Sequence, residues 1–118
     1  MKTLVLGASP KSERYSNKAV LRLQQLGHEV VAVGLRKSDI NGIAILEGMP
    51  EVEGVDTVTM YLGAKNQKMY YSYILSLKPK RVLFNPGAEN PELVAILKEA
   101  GITYENACTL VLLATNQY

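Results

Sequence analysis

The sequence is poor in the residues that most often carry catalysis or bind metals. It has one cysteine, Cys108, one histidine, His28, and no tryptophan. A single cysteine excludes an internal disulfide and is typical of a reducing compartment. No cysteine cluster or histidine pair offers a metal site, and Ser9 lacks the nucleophile-elbow pattern of a catalytic serine. We therefore expect neither a catalytic residue nor a bound metal.

Charge of one sign and long apolar runs are also scarce. The formal net charge is +2, from 13 basic and 11 acidic side chains, which is too small for a nucleic-acid surface or a polybasic membrane patch. No apolar run approaches the roughly 20 residues that cross a bilayer, and no leader-like segment precedes the first strand pattern. We expect a cytoplasmic protein without nucleic-acid or membrane partners.

What the sequence does contain is an alternation of strand and helix patterns. Hydrophobic residues make up 47% of the chain, enough for the core of a single domain over residues 1–118. Segments at helical spacing end at Gly27, Pro79 and Gly101. Between them, apolar and partly β-branched runs predict five buried strands at residues 3–6, 29–33, 55–62, 81–84 and 102–104.

This alternation predicts an α/β fold, a Rossmann-like three-layer α/β/α arrangement with a mostly parallel five-stranded sheet in the order 3-2-1-4-5. Residues 43–46 are read as a small extra piece outside that order, and residues 109–114 as either a short helix or a last strand. The winding then reverses between strands one and four. Ligands of such sheets bind at this switch point, beyond the carboxyl ends of the strands, where we expect loops 7–16 and 85–90.

The first of these loops has the features of an anion site. Its glycine permits a sharp turn, and the helix that follows directs free N–H groups and its positive dipole end at the space above the strand. The spacing is not the three-glycine dinucleotide fingerprint. The alternative is an ordinary strand-to-helix turn with Ser16 as the helix cap. The groups available to a phosphate are Ser9, Lys11, Arg14 and the amides near Ser16 and Asn17.

The end of the second predicted strand carries two cations, Arg36 and Lys37, where a domain built for NAD usually has an acidic residue. Such cations suit a ribose that bears its own phosphate, as in NADP or coenzyme A. A solvated surface pair is the alternative. Gly63, after the third predicted strand, would let the backbone approach a flat group such as adenine, and Asn66 is read as the cap of the next helix.

Residues 7–11 (Gly-Ala-Ser-Pro-Lys), 14–17 (Arg-Tyr-Ser-Asn) and 27–30 (Gly-His-Glu-Val) resemble the small single-domain CoA-binding protein family. The likeness extends through residues 100–108 and covers nearly the whole chain. The family is similar to the CoA-binding Rossmann domain of the succinyl-CoA synthetase alpha subunit. The phosphorylated histidine of that synthetase has no counterpart here, so its reaction is not implied.

The resemblance implies that Ser9, Pro10, Ser16 and Asn17 contact the CoA phosphates and that residues 33–36 line the adenosine, with Gly63 and Ala64 nearby. The sequence departs from the family at residues 32–35, where Pro-Val-Asn-Pro is typical, and at residues 84–87, where a Trp-x-Gln-x-Gly run is typical. The complete set of expected ligand-binding residues is Gly7, Ala8, Ser9, Pro10, Arg14, Ser16, Asn17, Val33, Gly34, Leu35, Arg36, Gly63, Ala64, Asn85, Pro86 and Gly87.

The sequence therefore leaves three functions open. The first is non-catalytic binding of coenzyme A or an acyl-CoA, and the second is an NADP-binding oxidoreductase-like domain. The third is a ligand-free relative that acts as a protein-interaction module, for which a segment with three tyrosines (Tyr70, Tyr71 and Tyr73), taken as exposed, is the argument. A homodimer is compatible with each of them.

Overall fold

Seven strands form one sheet with helices on its two faces, in a computed structural model that describes residues 1–118. No helix combines the length and the apolar character that a membrane crossing requires. The elements, in chain order, are β1 (Lys2–Ala8), α1 (Tyr15–Gln25), β2 (Glu29–Gly34), β3 (Ser38–Ile40), β4 (Ile43–Glu47), β5 (Thr57–Met60), α2 (Ala64–Gln67), a 3₁₀ turn (Lys68–Tyr70), α3 (Tyr71–Leu77), β6 (Arg81–Phe84), α4 (Pro91–Glu99), β7 (Thr103–Asn106) and α5 (Thr109–Ala114).

The Rossmann-like α/β class is confirmed, but the predicted strand number and order are wrong in detail. The observed order is β3-β4-β2-β1-β5-β6-β7, with every neighbouring pair parallel except β3 and β4. The piece left out of the predicted order is β4, which pairs with β2. The run predicted as the third strand is β5, which pairs with β1 on the side away from β2.

A hairpin explains the difference. Asn41 and Gly42 connect β3 to β4 with positive φ angles of 47° and 87°, and Ile40 pairs with Ile43 across the turn. An Asn-Gly pair between apolar residues is a strong hairpin signal, because both positions of such a turn require positive φ. The hairpin fills the edge beside β2, so the winding reverses between β1 and β5.

Two apolar clusters hold the helices onto the sheet, one on each face. Side chains alternate between the faces along a strand, so Leu4 and Leu6 of β1 join a cluster of 15 buried residues that includes α3 and α4. Val5 joins a second cluster of 8 buried residues, to which α1 contributes Val20 and Leu23. The sheet core therefore positions the carboxyl ends of β1, β2 and β5 side by side.

The segment with three tyrosines is not an exposed aromatic surface. Tyr70 and Tyr73 are 6% and 7% exposed and belong to the larger cluster, and Tyr71 is half-buried against it. Met69, by contrast, is exposed. The expectation that exposed tyrosines form an interface is therefore wrong. Residues 109–114, for which helix and strand were both open, form helix α5.

Candidate functional site

A pocket of about 680 Å³ opens at the carboxyl edge of the sheet, beside the switch between β1 and β5. This volume is in the range of small-molecule binding sites. Its wall is built from the loop after β1, the ends of β2 and β5, and one residue each from the 3₁₀ turn and the loop after β6. The lining residues are Gly7, Ala8, Ser9, Pro10, Lys11, Arg14, Tyr15, Ser16, Val33, Gly34, Leu35, Arg36, Tyr61, Leu62, Tyr70 and Pro86.

The first turn of α1 faces the pocket without a cap. The helix begins at Tyr15, and its N-cap is Arg14 in extended conformation. No side chain makes a capping hydrogen bond, and the first turn contains no acidic residue. Ser16 is therefore not the cap, and its side chain is 4% exposed in the pocket wall. Free N–H groups and the positive dipole end at this position favour an anion.

The loop that precedes this helix is held by two short-range hydrogen bonds. The Asn17 side-chain amide donates to the Ser9 carbonyl at 3.0 Å, and the Lys11 backbone N–H donates to the Ser9 hydroxyl at 3.2 Å. Asn17 itself is buried and does not line the pocket. Its observed position is that of a support for the loop rather than of a group that faces a ligand.

Gly7 brings β1 close to its neighbour at the switch point. Its φ is +99°, and a β carbon there would lie 3.0 Å from the Tyr61 carbonyl carbon. The strand pairing also shifts by one residue between Leu6 and Ala8, which marks a bulge. Since bulges redirect the backbone at the end of a strand, Gly7 lets the chain turn directly into the pocket wall.

The charged part of the lining is entirely cationic. Lys11, Arg14 and Arg36 line the pocket, and no aspartate or glutamate does. The two ion pairs of the protein lie elsewhere, so none of these three cations is neutralised by a carboxylate. Lys37 is exposed and outside the lining, although it follows Arg36 directly. The end of the pocket near β1 and β2 therefore has a positive potential.

The opposite end of the pocket, near β5 and β6, is mainly apolar. It is lined by Tyr61, Leu62, Tyr70 and Pro86. Sequence reasoning missed the first three of these residues, as well as Tyr15. Tyr61 and Leu62 could have been found from the correct strand order, because they follow the strand that pairs with β1. Tyr70 carries no such signal, because it lies in the 3₁₀ turn after α2 and not at the end of a strand.

Burial raises the pKa of the Tyr61 phenol, with smaller contributions from its neighbours, Cys108 first among them. The Tyr61 hydroxyl is buried without a hydrogen-bond partner. The hydroxyls of Thr59 and Thr109 act against this rise in pKa, but they bond to each other at 2.7 Å. Tyr61 therefore remains a neutral phenol at physiological pH.

Five of the residues expected to bind a ligand lie outside the lining: Asn17, Gly63, Ala64, Asn85 and Gly87. Gly63 and Ala64 are exposed at the start of α2. Asn85 is buried, and its side chain donates to the Thr59 hydroxyl at 2.7 Å and accepts from the Thr109 backbone N–H at 2.8 Å. The Gly87 N–H donates to Glu89 at 2.9 Å. The other eleven expected residues share the pocket.

A buried amide joins the two loops at the apolar end. Gln67 is fully buried, and its amide group donates to the carbonyl oxygens of Leu62 at 2.8 Å and Ala88 at 2.7 Å. Its oxygen accepts from the Asn90 side chain at 2.9 Å. Buried polar groups of this kind stabilise a structure when all their partners are present. Gln67 thus fixes the wall that contains Leu62 relative to the loop after β6.

Comparison with known families gives a match over nearly the whole chain. Residues 1–114 match the family model described as CoA binding domain. The comparison with curated proteins gives no significant match.

Solved structures share the fold over nearly the whole chain. The crystal structure of an uncharacterized protein is 51% identical, with a TM-score of 0.96 and coverage of 99% of this chain and 97% of that one. A protein from Thermus thermophilus is 22% identical (TM-score 0.86; 99% and 90% covered). A hypothetical protein from Pyrococcus horikoshii OT3 is 23% identical (TM-score 0.84; 92% and 78% covered). The latter two support the fold alone.

Proposed function

We propose, from the premise that this chain belongs to the CoA-binding domain family, that it binds coenzyme A or an acyl-CoA at the switch point and does not transform it. The observation that carries the proposal is the pocket of about 680 Å³ with three lining cations, no lining carboxylate and an uncapped helix N-terminus. A ligand with several phosphate groups matches such a site, because each negative oxygen finds an N–H donor or a cation.

In this proposal the pyrophosphate binds at the start of α1. The uncapped N–H groups of the first turn, the Ser16 hydroxyl and the side chains of Lys11 and Arg14 surround the available space. The absence of acidic residues in the first turn means that no protein carboxylate competes for these donors. Hydrogen bonds to a charged acceptor are worth about 1.5–3 kcal/mol each, so several of them at one place favour an anionic group there.

The adenosine lies, in the same proposal, against the end of β2. Val33 and Gly34 form the floor there, and Leu35, which is 83% exposed, offers an apolar surface to a base. Arg36 follows in the lining and is available to the 3′-phosphate of coenzyme A. A guanidinium suits this role, because its planar set of donors can bind two phosphate oxygens at once.

The proposal that no reaction takes place rests on the composition of the lining. The titratable side chains of the wall are three cations and three tyrosines, without a carboxylate, an imidazole or a thiol. General acid–base catalysis needs a group whose pKa lies near the working pH. Burial moves the pKa of Tyr61 further from that range.

Calorimetric titration with coenzyme A, dephospho-CoA and NADP tests the proposal. We expect coenzyme A to bind about tenfold or more tightly than dephospho-CoA, because one charge-assisted contact is lost without the 3′-phosphate. Arg36→Gln should remove this preference. Lys37→Gln makes the same change of charge one residue further along, outside the lining, and should keep it. Tighter binding of NADP would instead favour the oxidoreductase-like alternative, and no binding of any nucleotide would contradict the proposal.

A further inference from the structure

Tyr70 differs from the two tyrosines that follow it, Tyr71 and Tyr73, in what its hydroxyl contacts. The Tyr71 hydroxyl donates to Glu92 at 3.0 Å and accepts from Asn90 at 2.8 Å. The Tyr73 hydroxyl donates to the Pro50 carbonyl at 2.6 Å. Tyr70 belongs to the larger apolar cluster and is 6% exposed, and its hydroxyl forms no hydrogen bond with any protein group.

The Tyr70 hydroxyl has no partner within the protein, and it belongs to a residue that lines the pocket. Only two buried side-chain atoms of the protein lack both a partner and solvent contact, and they belong to Tyr61 and Arg81. The Tyr70 hydroxyl is therefore in contact with solvent, and Tyr70 lines the pocket. A buried tyrosine almost always finds a partner for its hydroxyl. A group bound in the pocket that Tyr70 lines is therefore a candidate for this partner.

Tyr70 lies at the end of the pocket that is away from the three cations, so it faces a part of the ligand other than the phosphates. The cations lie at the ends of β1 and β2, whereas Leu62, Tyr70 and Pro86 line the end beyond β5. Neighbouring strands are about 4.8 Å apart, so three steps from β2 to β6 span about 14 Å. If the phosphates bind among the cations, as proposed above, an arm attached to them reaches the apolar end.

We propose that the Tyr70 hydroxyl donates a hydrogen bond to a carbonyl oxygen of this arm and so selects nucleotides that carry it. The inference depends on the proposed function, since it concerns the same pocket. Carbonyl oxygens occur in the arm of coenzyme A as amides and, in an acyl-CoA, also as a thioester. An apolar wall with a single polar group discriminates between ligands with and without this carbonyl. The reason is that a buried hydroxyl left without an acceptor weakens binding.

The test compares coenzyme A, acetyl-CoA and adenosine 3′,5′-bisphosphate, which lacks the arm, on the wild-type protein and on Tyr70→Phe. We expect Tyr70→Phe to bind at least one of the two arm-bearing ligands about threefold to tenfold more weakly, the usual contribution of one hydrogen bond. Its affinity for the bisphosphate should be unchanged. A loss with both ligands indicates an amide acceptor, and a loss with acetyl-CoA alone indicates the thioester.

Tyr73→Phe is the matched control, since it removes a hydroxyl from the same segment but outside the lining. It should lower thermal stability through the lost bond to Pro50 and leave all three affinities unchanged. Equal affinities of the wild type and Tyr70→Phe for both arm-bearing ligands would overturn this inference and leave the proposed function intact. So would an equal loss for the bisphosphate. Failure of the wild type to bind any of the three would overturn the proposed function and this inference with it.

Discussion

Gly34 lies directly against the Ala8 carbonyl group, and the two residues are partners in the pairing of β1 with β2. A β carbon on Gly34 would be 2.3 Å from the Ala8 oxygen and 3.0 Å from the Ile45 side chain. No real β carbon approaches a backbone oxygen so closely, so one of the strands would have to move. The glycine therefore permits the close approach of the two strand ends that form the floor of the pocket.

We expect Gly34→Ala to destabilise the protein by about 1–3 kcal/mol, the usual cost of forcing extra volume into a packed site. It should also weaken ligand binding, because the displaced strand ends line the pocket. Urea denaturation and titration with coenzyme A measure the two effects. Gly63→Ala is the control, since nothing lies within 4 Å of a β carbon there. Unchanged stability in Gly34→Ala would contradict the packing argument.

Ser16→Glu should abolish the binding of phosphorylated ligands. The new carboxylate would lie in the first turn of α1, where it would occupy the free donors and repel a phosphate. Ser12→Glu adds the same charge to the preceding loop at an exposed residue outside the lining, and we expect at most a modest effect of about twofold to fivefold from it. Affinity measured by calorimetry decides the matter. Normal binding in a folded Ser16→Glu variant would mean that the phosphates bind elsewhere.

Gln67→Leu should lower the free energy of unfolding by about 2–5 kcal/mol. The change leaves the Leu62 and Ala88 carbonyls and the Asn90 amide without the partner that Gln67 provides, and each buried unpaired group costs about 1–3 kcal/mol. Asn66→Leu alters the exposed neighbour and should change stability by less than about 0.5 kcal/mol. Equal stabilities of the two variants would show that the buried amide network contributes little.

Tyr61 should make the protein lose stability in alkaline solution. Burial raises its pKa above the usual value of 10.0, so above about pH 10 the unfolded chain releases the phenolic proton before the folded protein does. The contribution is complete below that pH and declines as the pH rises, by up to about 1.4 kcal/mol per unit.

Urea midpoints from about pH 8 to about pH 11 measure the effect. The wild type should fall more steeply above about pH 10 than Tyr61→Phe, which has no phenolic proton to release. At neutral pH Tyr61→Phe should be at least as stable as the wild type, because the hydroxyl it removes is buried without a partner. Parallel curves for the two proteins would show that this phenol does not govern the decline.

Local patterns predicted most of the elements but neither β3 nor α2, and they predicted the pairing of the strands less well. Apolar runs identified the segments that became β1, β5 and β6, because a strand buried on both faces must be apolar at nearly every position. They also located β2 and β7, although β7 lies at the sheet edge and is mostly exposed. They did not identify β4 as a full member of the sheet. The Asn-Gly turn at residues 41–42 carried that information, and with it the correct switch point follows.

By itself the sequence determined the α/β class and the positions of the loop from Gly7 to Ser16 and of Arg36 after β2, because turns, helix starts and strand ends are specified by nearby residues. Only the tertiary structure decided which loops face each other. It brought Tyr61, Leu62 and Tyr70 to the pocket, and it left Gly63 and Asn85 outside its lining. The reason is that pairing across the sheet depends on contacts between residues far apart in the chain, which no local pattern encodes.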